Sequence, residues 1–243
     1  MKYFPLLMVV VLYCCSSNYN DKNIKVLKND SIKVKDTLNC TTGQSDSIKK
    51  YSKRMKAFYI NVEPSKIAEK WTLPFYVQNR SNLNSIQIIS GFGTYRSGHV
   101  KGHKHSGIDI LPSNKMDTVF VYPINKGIVC LIRPIAPNKT VIIRHRLNDG
   151  SYIYSSYIHL KDIFVKNGDE VDYNTRIGVL YTKSEAKRYN GNYDHLHFEI
   201  KKRIDDYCCA SWLCMSQEEL SEYFENPLEF LKKNLNKQSF PYK

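Results

Sequence analysis

The 243-residue chain predicts a mainly β protein: a compact antiparallel sheet domain flanked by N- and C-terminal helices. Two observations carry this. From Ile86 to Ile200, short runs rich in Val, Ile, Tyr and Phe alternate with Gly, Pro, Asn and Asp turn signals, the pattern of antiparallel strands. Apolar residues at helical spacing occur only before and after that stretch.

The elements follow in order. Ser45-Asp46-Ser47 opens a helix whose stripe is Ile48, Tyr51, Met55, Phe58 and Tyr59, spaced to pack on a domain. Residues 64–71 form a second short helix or turn. Strands are expected over 86–89, 119–122, 127–132, 140–146, 152–158, 171–180 and 194–200. Gly91-Phe92-Gly93 ends the first. Asn148-Asp149-Gly150 is a hairpin turn, because Asp-Gly tolerates positive φ. The returning strand delivers His159-Leu160 at its end, and Asn167-Gly168 turns the chain again. Ser216 and Glu219 make a capping box for a helix with Leu220, Tyr223 and Phe224 on its apolar face. Asn226-Pro227 then starts a helix striped by Leu228, Leu231 and Leu235, with Asn as cap and Pro at the first position.

The N-terminus reads as an export signal. Met1-Lys2, an apolar stretch from Phe4 to Tyr13 and Cys14-Cys15-Ser16-Ser17 make a charged start, a short apolar core and small residues. Cys15, with Leu12 three before it and Cys14 just before it, fits the lipid-modified cysteine of a bacterial lipoprotein; a plain cleaved signal is the alternative. Acyl chains there would tether the chain to a membrane surface. The organisation is therefore 1–15 signal peptide, 16–44 flexible tether, 45–83 helical extension, 84–235 main domain and 236–243 tail. The tether is rich in Asn, Lys and Asp, with little to bury.

The formal net charge of +13 suits anionic surroundings. No nucleic-acid fingerprint accompanies it, so nucleic acid is not an expected partner, and a monomer is expected. Beyond Cys14 and Cys15, five cysteines remain: Cys40, Cys130, Cys208, Cys209 and Cys214. An exported chain permits disulfides, but an odd number leaves at least one thiol outside an internal pair. The spacing of Cys208, Cys209 and Cys214 matches no standard zinc pattern.

The chemistry lies in His195-Leu196-His197-Phe198-Glu199 read with His105-Ser106-Gly107-Ile108-Asp109. Strand alternation puts His195 and His197 on one face, about 7 Å apart. With His105 and Asp109 the chain offers N, N and O donors and an open fourth position, the pattern of a catalytic zinc site. His103 stands two before His105 and could compete as ligand; the Gly-Ile-Asp after His105 favours His105. Glu199 shares the face of His197 and is expected to support a ligand or the fold. His99, His103 and His145 are otherwise expected to be ordinary histidines.

Together these motifs resemble the M23 zinc peptidases (the LytM or lysostaphin type). His105-x-x-x-Asp109, His159-Leu160 after an aromatic strand, and His195-Leu196-His197-Phe198-Glu199 stand in the family's order. Ser90-Gly91-Phe92-Gly93, Lys126-Gly127-Ile128-Val129, Asn167-Gly168-Asp169 and Asn226-Pro227-Leu228 agree with its flanks. The resemblance covers roughly residues 84–232. It implies a LytM-like, barrel-sandwich hybrid type of β domain, with one Zn2+ per chain held by His105, Asp109 and His197. It implies His159 and His195 as the two catalytic histidines that are not ligands, with His195 the preferred base and the choice open. The implied activity is hydrolysis of peptide bonds in peptidoglycan cross-links or stem peptides, by zinc-activated water with the two histidines assisting. The implied location is the cell envelope. The alternative is a non-catalytic relative that binds or activates other wall hydrolases. Two departures stand out. Residues 181–192 replace most of a glycine-rich turn by a polar segment that keeps only Gly191, and 201–215 reads as an insertion.

Overall fold

The computed structural model describes residues 58–96, 103–204, 211–213 and 217–235. Thirteen strands, all paired antiparallel, form two sheets among these residues. The large sheet runs β1 (Ile86–Ser90), β4 (Ile108–Pro112), β11 (Leu196–Lys201), β8 (Tyr152–Ile163), β7 (Lys139–Arg146), β6 (Gly127–Arg133) and β9 (Glu170–Val171). β10 (Gly178–Leu180) joins β8 to β5 (Phe120–Val121), and β13 (Phe224–Glu225) lies on β11. A small sheet orders β12 (Ser211–Leu213), β3 (His103–His105) and β2 (Tyr95–Arg96). Helices are few: α1 (Lys183–Ala186), α2 (Gln217–Tyr223) and α3 (Pro227–Leu235). The mainly antiparallel β class that the alternation predicts is the class observed.

Both faces of the central strands are covered. Along β7, Val141 and Ile143 join the main core with Ile110, Tyr157, Leu196 and Phe198. Ile142 points the other way into a second cluster with Leu131, Tyr154 and Ile204. Period-2 alternation thus places apolar residues on two layers. In α3, Phe230, Leu231 and Leu235 are buried, and Asn226 caps it by accepting a hydrogen bond from the Leu228 N–H at 3.0 Å. Leu228 itself is only partly buried.

The segment before β1 differs from expectation. Residues 58–82 hold no helix, and the stripe at Ile48, Tyr51 and Met55 lies outside the described residues. The strap runs extended along the sheet through single bridges, Tyr59 to Leu131, Ile67 to Arg146 and Phe75 to Val121. The Ile60, Ala68 and Thr72 N–H groups donate to the Cys130, Arg146 and Ile124 carbonyls at 2.8–2.9 Å. Pro64 and Pro74 disfavour helix in the residues before them. Leu73 and Phe75 alternate into the core, each with no exposure. Burying each is worth about 1.5–3 kcal/mol, so 58–82 is part of the domain that the sequence places at 84–235.

Smaller differences have local causes. Residues 171–180 do not run as one strand, because Asp172 and Thr175 close a turn: the Asp172 carboxylate accepts from the Asn174 N–H at 2.8 Å and from the Thr175 hydroxyl at 3.1 Å. Phe224 leaves the helix pattern to pair with Lys201 across β13 and β11. β2, β3, β4 and β12 are not among the predicted strands; their runs are short or broken by polar residues. Cys130 is buried, and its thiol donates to the Ile142 carbonyl at 3.5 Å; Cys40, Cys208, Cys209 and Cys214 lie outside the described residues.

Candidate metal centre and active site

Three neighbouring strands build the site. β4 and β11 pair in register, with His197 opposite Asp109 and Phe198 opposite Ile108. Between β3 and β4 the chain turns at Ser106-Gly107 and swings His105 over the same pair. A Cβ at Gly107 would stand 2.3 Å from the Phe198 carbonyl oxygen, so only glycine lets this corner close on β11.

The result is a triangle of donor atoms. His105 Nε2 lies 3.0 Å from Asp109 Oδ1 and 2.8 Å from His197 Nδ1, and His197 Nδ1 lies 2.9 Å from Asp109 Oδ1. All three residues are buried. Zinc bonds of about 2.0–2.2 Å to N and O reach all three atoms at once. The backs of the rings select the tautomers. His105 Nδ1–H donates to the Gly91 carbonyl at 2.8 Å. His197 Nε2–H donates to Glu199 Oε1 at 3.2 Å. Each ring then turns a lone pair toward the triangle, the form a metal needs. Asp109 Oδ2 accepts from Arg96, which also donates to Ser90 Oγ at 3.2 Å.

The electrostatics agree with a ligand set. With the protein groups alone, burial would raise the Asp109 carboxyl, but the His105, His195 and His197 rings, which share protons with it until a metal takes up their lone pairs, hold it well below the usual carboxylate range. Burial lowers the His105 imidazole, with the Asp109 hydrogen bond opposing. His197 is disfavoured as a cation by burial, yet Asp109 and Glu199 on either side raise it to about 9 with the protein groups alone. Asp109 supplies the anionic donor of the triangle, which suits a cation.

His159 and His195 complete the cluster. β8 carries a bulge: Thr140 pairs with Ile158 and Lys139 with Leu160, skipping His159. His159 is left-handed, with φ 69°, a strained conformation for a side chain of this size. The bulge turns its ring to within 5.1 Å of the His195 ring and 6.0 Å of the His197 ring, centroid to centroid. Its Nδ1 is buried with no hydrogen-bond partner among the described residues. Burial, then the charges of His195 and His197, hold its imidazole well below the ordinary value. His195 Nε2 lies 3.3 Å from Asp109 Oδ1, and its side chain is 13% exposed against 4% for Asp109. It stands at the mouth of the cluster.

All five residues named from the sequence therefore meet in one place. His99 lies outside the described residues, and His103 contributes backbone to β3. His145 is fully buried elsewhere, 2.7 Å from the Lys126 carbonyl oxygen and 2.7 Å from Ser155 Oγ. Several groups escaped sequence reasoning. Gly91 and Arg96 stand in segments that resemble the family's flank, but their roles behind His105 and Asp109 carry no pattern of their own. Tyr193 edges onto the His159 ring at 5.0 Å and packs against Gly191, where a Cβ would meet its ring at 2.5 Å. Lys201 was detectable, since it continues the period-2 face of His195, His197 and Glu199.

Residues 103–207 match the family described as Peptidase family M23. The match spans the whole cluster, from His105 to His197. No curated protein matches. Among solved structures, a zinc-containing peptidase from Vibrio cholerae is 22% identical, with 56% of this chain and 36% of that one covered and a TM-score of 0.37. This chain thus spans about a third of that protein's length. The catalytic domain of lysostaphin from Staphylococcus simulans is 24% identical, covering 62% of this chain and 95% of that one, with a TM-score of 0.40. A SpoIIIAH–SpoIIQ complex chain is 19% identical, covering 66% and 99%, with a TM-score of 0.39.

Proposed function

We propose that this protein is a zinc-dependent endopeptidase that cuts peptide bonds in peptidoglycan cross-links or stem peptides. The observation that carries the reading is the buried triangle of His105 Nε2, Asp109 Oδ1 and His197 Nδ1 with edges of 2.8–3.0 Å. Two further imidazoles, His159 and His195, border it. The family match supports peptidase chemistry; the wall substrate rests on the motif resemblance and the +13 charge.

His105, Asp109 and His197 would hold the zinc. When bound, zinc lowers the pKa of water toward about 7 and polarises a carbonyl as a Lewis acid. His195, at the mouth, takes the proton of the attacking water and returns it to the leaving amine. His159, neutral through burial, donates to the carbonyl oxygen as negative charge develops there. Arg96 keeps Asp109 ionised and fixed. The chain acts as a monomer in the envelope, anchored through a lipid on Cys15. No helix among the described residues is long and apolar enough to cross a membrane, and the anchor rests on the 1–17 pattern alone.

The test is metal analysis of the purified chain combined with mass spectrometry of products from purified peptidoglycan. One zinc per chain with released peptides supports the reading. Zinc with no released peptide, but stimulation of another wall hydrolase, would replace it by the non-catalytic alternative. Lipidation is checked by intact mass of the membrane fraction; an unmodified mature chain would exclude the anchor.

A further inference from the structure

Below His197, β11 carries an ion pair that the peptidase reading leaves unused. Leu196, Phe198 and Ile200 point into the apolar core with no exposure. The opposite face runs His195, His197, Glu199, Lys201. Glu199 and Lys201 are both fully buried, at 0% and 1% exposure, with Lys201 Nζ 2.8 Å from Glu199 Oε2. The other carboxylate oxygen, Oε1, accepts from Ser106 Oγ at 2.6 Å and from His197 Nε2 at 3.2 Å. The Lys201 ammonium also sits over the Phe224 ring, 4.4 Å from its centroid.

A buried ion pair is a poor way to stabilise a fold. Two apolar residues of the same volume do as well or better, because both charges lose their hydration. This pair stands one hydrogen bond from an imidazole of the donor triangle, and its two carboxylate oxygens are divided by role. One faces the cation; the other faces the ring and the Ser106 hydroxyl.

We propose that Lys201, Glu199 and Ser106 form a positioning relay for His197. Glu199 takes the Nε2 proton in a hydrogen bond and so turns the Nδ1 lone pair to the metal. Ser106 fixes the carboxylate oxygen that does this. Lys201 holds Glu199 as an anion and cancels its charge, so that the second buried carboxylate near the site orients a ligand instead of competing as one. Gly107 belongs to the device structurally: a Cβ there would also stand 2.9 Å from the Glu199 Cγ, so the glycine is what lets Ser106 reach Glu199. None of the three touches the donor triangle except through His197. They are positioning residues, and the inference rests on the zinc reading above.

The test uses the full chain and reads zinc affinity by chelator competition, with thermal unfolding in chelator to report the fold. Lys201→Met and Ser106→Ala should weaken zinc binding roughly 10–100-fold, the range for partners that orient a ligating histidine. Lys201→Arg should restore most of it. Because an unpaired buried Glu199 endangers folding, Glu199→Gln with Lys201→Met supplies a neutral pair of similar volume. That double variant should unfold near the wild-type temperature and still bind zinc more weakly. A folded double variant with wild-type zinc affinity would overturn the relay and leave the peptidase reading standing. A wild-type chain that takes up no zinc would overturn both.

Discussion

His197 Nδ1 lies 2.9 Å from Asp109 Oδ1, and the two residues face each other across an antiparallel register. A direct cross-strand pair is among the most rigid placements a sheet offers, with Cβ atoms about 4.5–5.5 Å apart. His105 is added from the β3–β4 corner, so the site needs only one loop closure to complete two donors already held by the sheet.

Removing a donor should therefore remove the metal while leaving the sheet intact. Asp109→Ala or His105→Ala is expected to bring zinc content close to zero, with circular dichroism unchanged. Saturating zinc should stabilise the wild type by about 4 kcal/mol at a thousandfold excess over Kd, and neither variant. Equal thermal shifts for wild type and variants would show that zinc binds elsewhere.

The mouth histidine should separate metal from turnover. His195→Ala is expected to retain one zinc and lose roughly 10²–10⁴ in kcat/KM on a peptidoglycan peptide, the usual contribution of a positioned acid–base group. Wild-type rates in this variant would remove His195 from the mechanism.

The strap can be tested as core. Phe75 is fully buried and bridges to Val121, so Phe75→Ala should lower stability by about 3–5 kcal/mol, read as a lower urea midpoint with an unchanged m-value. A change under 1 kcal/mol would mean that 58–82 is a detachable extension, as the helical expectation had it.

His145 predicts an acid limit. Burial lowers its imidazole to about 4, with the hydrogen bond to the Lys126 carbonyl opposing. Above about pH 6.5 the ring is neutral folded and unfolded, and its contribution to stability is complete. As pH falls below that, the unfolded chain binds a proton that the folded chain refuses, and stability drops until about pH 4. The full loss is about 3 kcal/mol. His145→Gln should flatten the stability profile between pH 6.5 and 4 relative to wild type; parallel profiles would contradict this.

The class of the fold was legible because alternation is a local property. Runs such as 140–146 and 152–158 must expose one face to each layer whatever else the chain does. The donor residues were legible for a related reason: a ligand set is a matter of residue type and short spacing, and His195-x-His197 fixes a shared face within a single strand. The strap departs from the helical expectation because the Phe58 and Tyr59 spacing suits a helix locally, while the decision falls to Leu131, Arg146 and Val121, which offer it sheet partners from more than forty residues away.

By itself, then, the sequence determined a mainly antiparallel β domain and singled out the five residues that the fold brings into one cluster. Only the tertiary structure decided which nitrogen of each imidazole faces the centre, since that depends on the Gly91 carbonyl behind His105 and on Glu199 behind His197. It also decided that His159 enters through a left-handed bulge, and that Lys201 and Arg96 each neutralise one buried carboxylate. Hydrogen-bond direction and charge compensation are set by neighbours in space, and no periodicity along the chain encodes them.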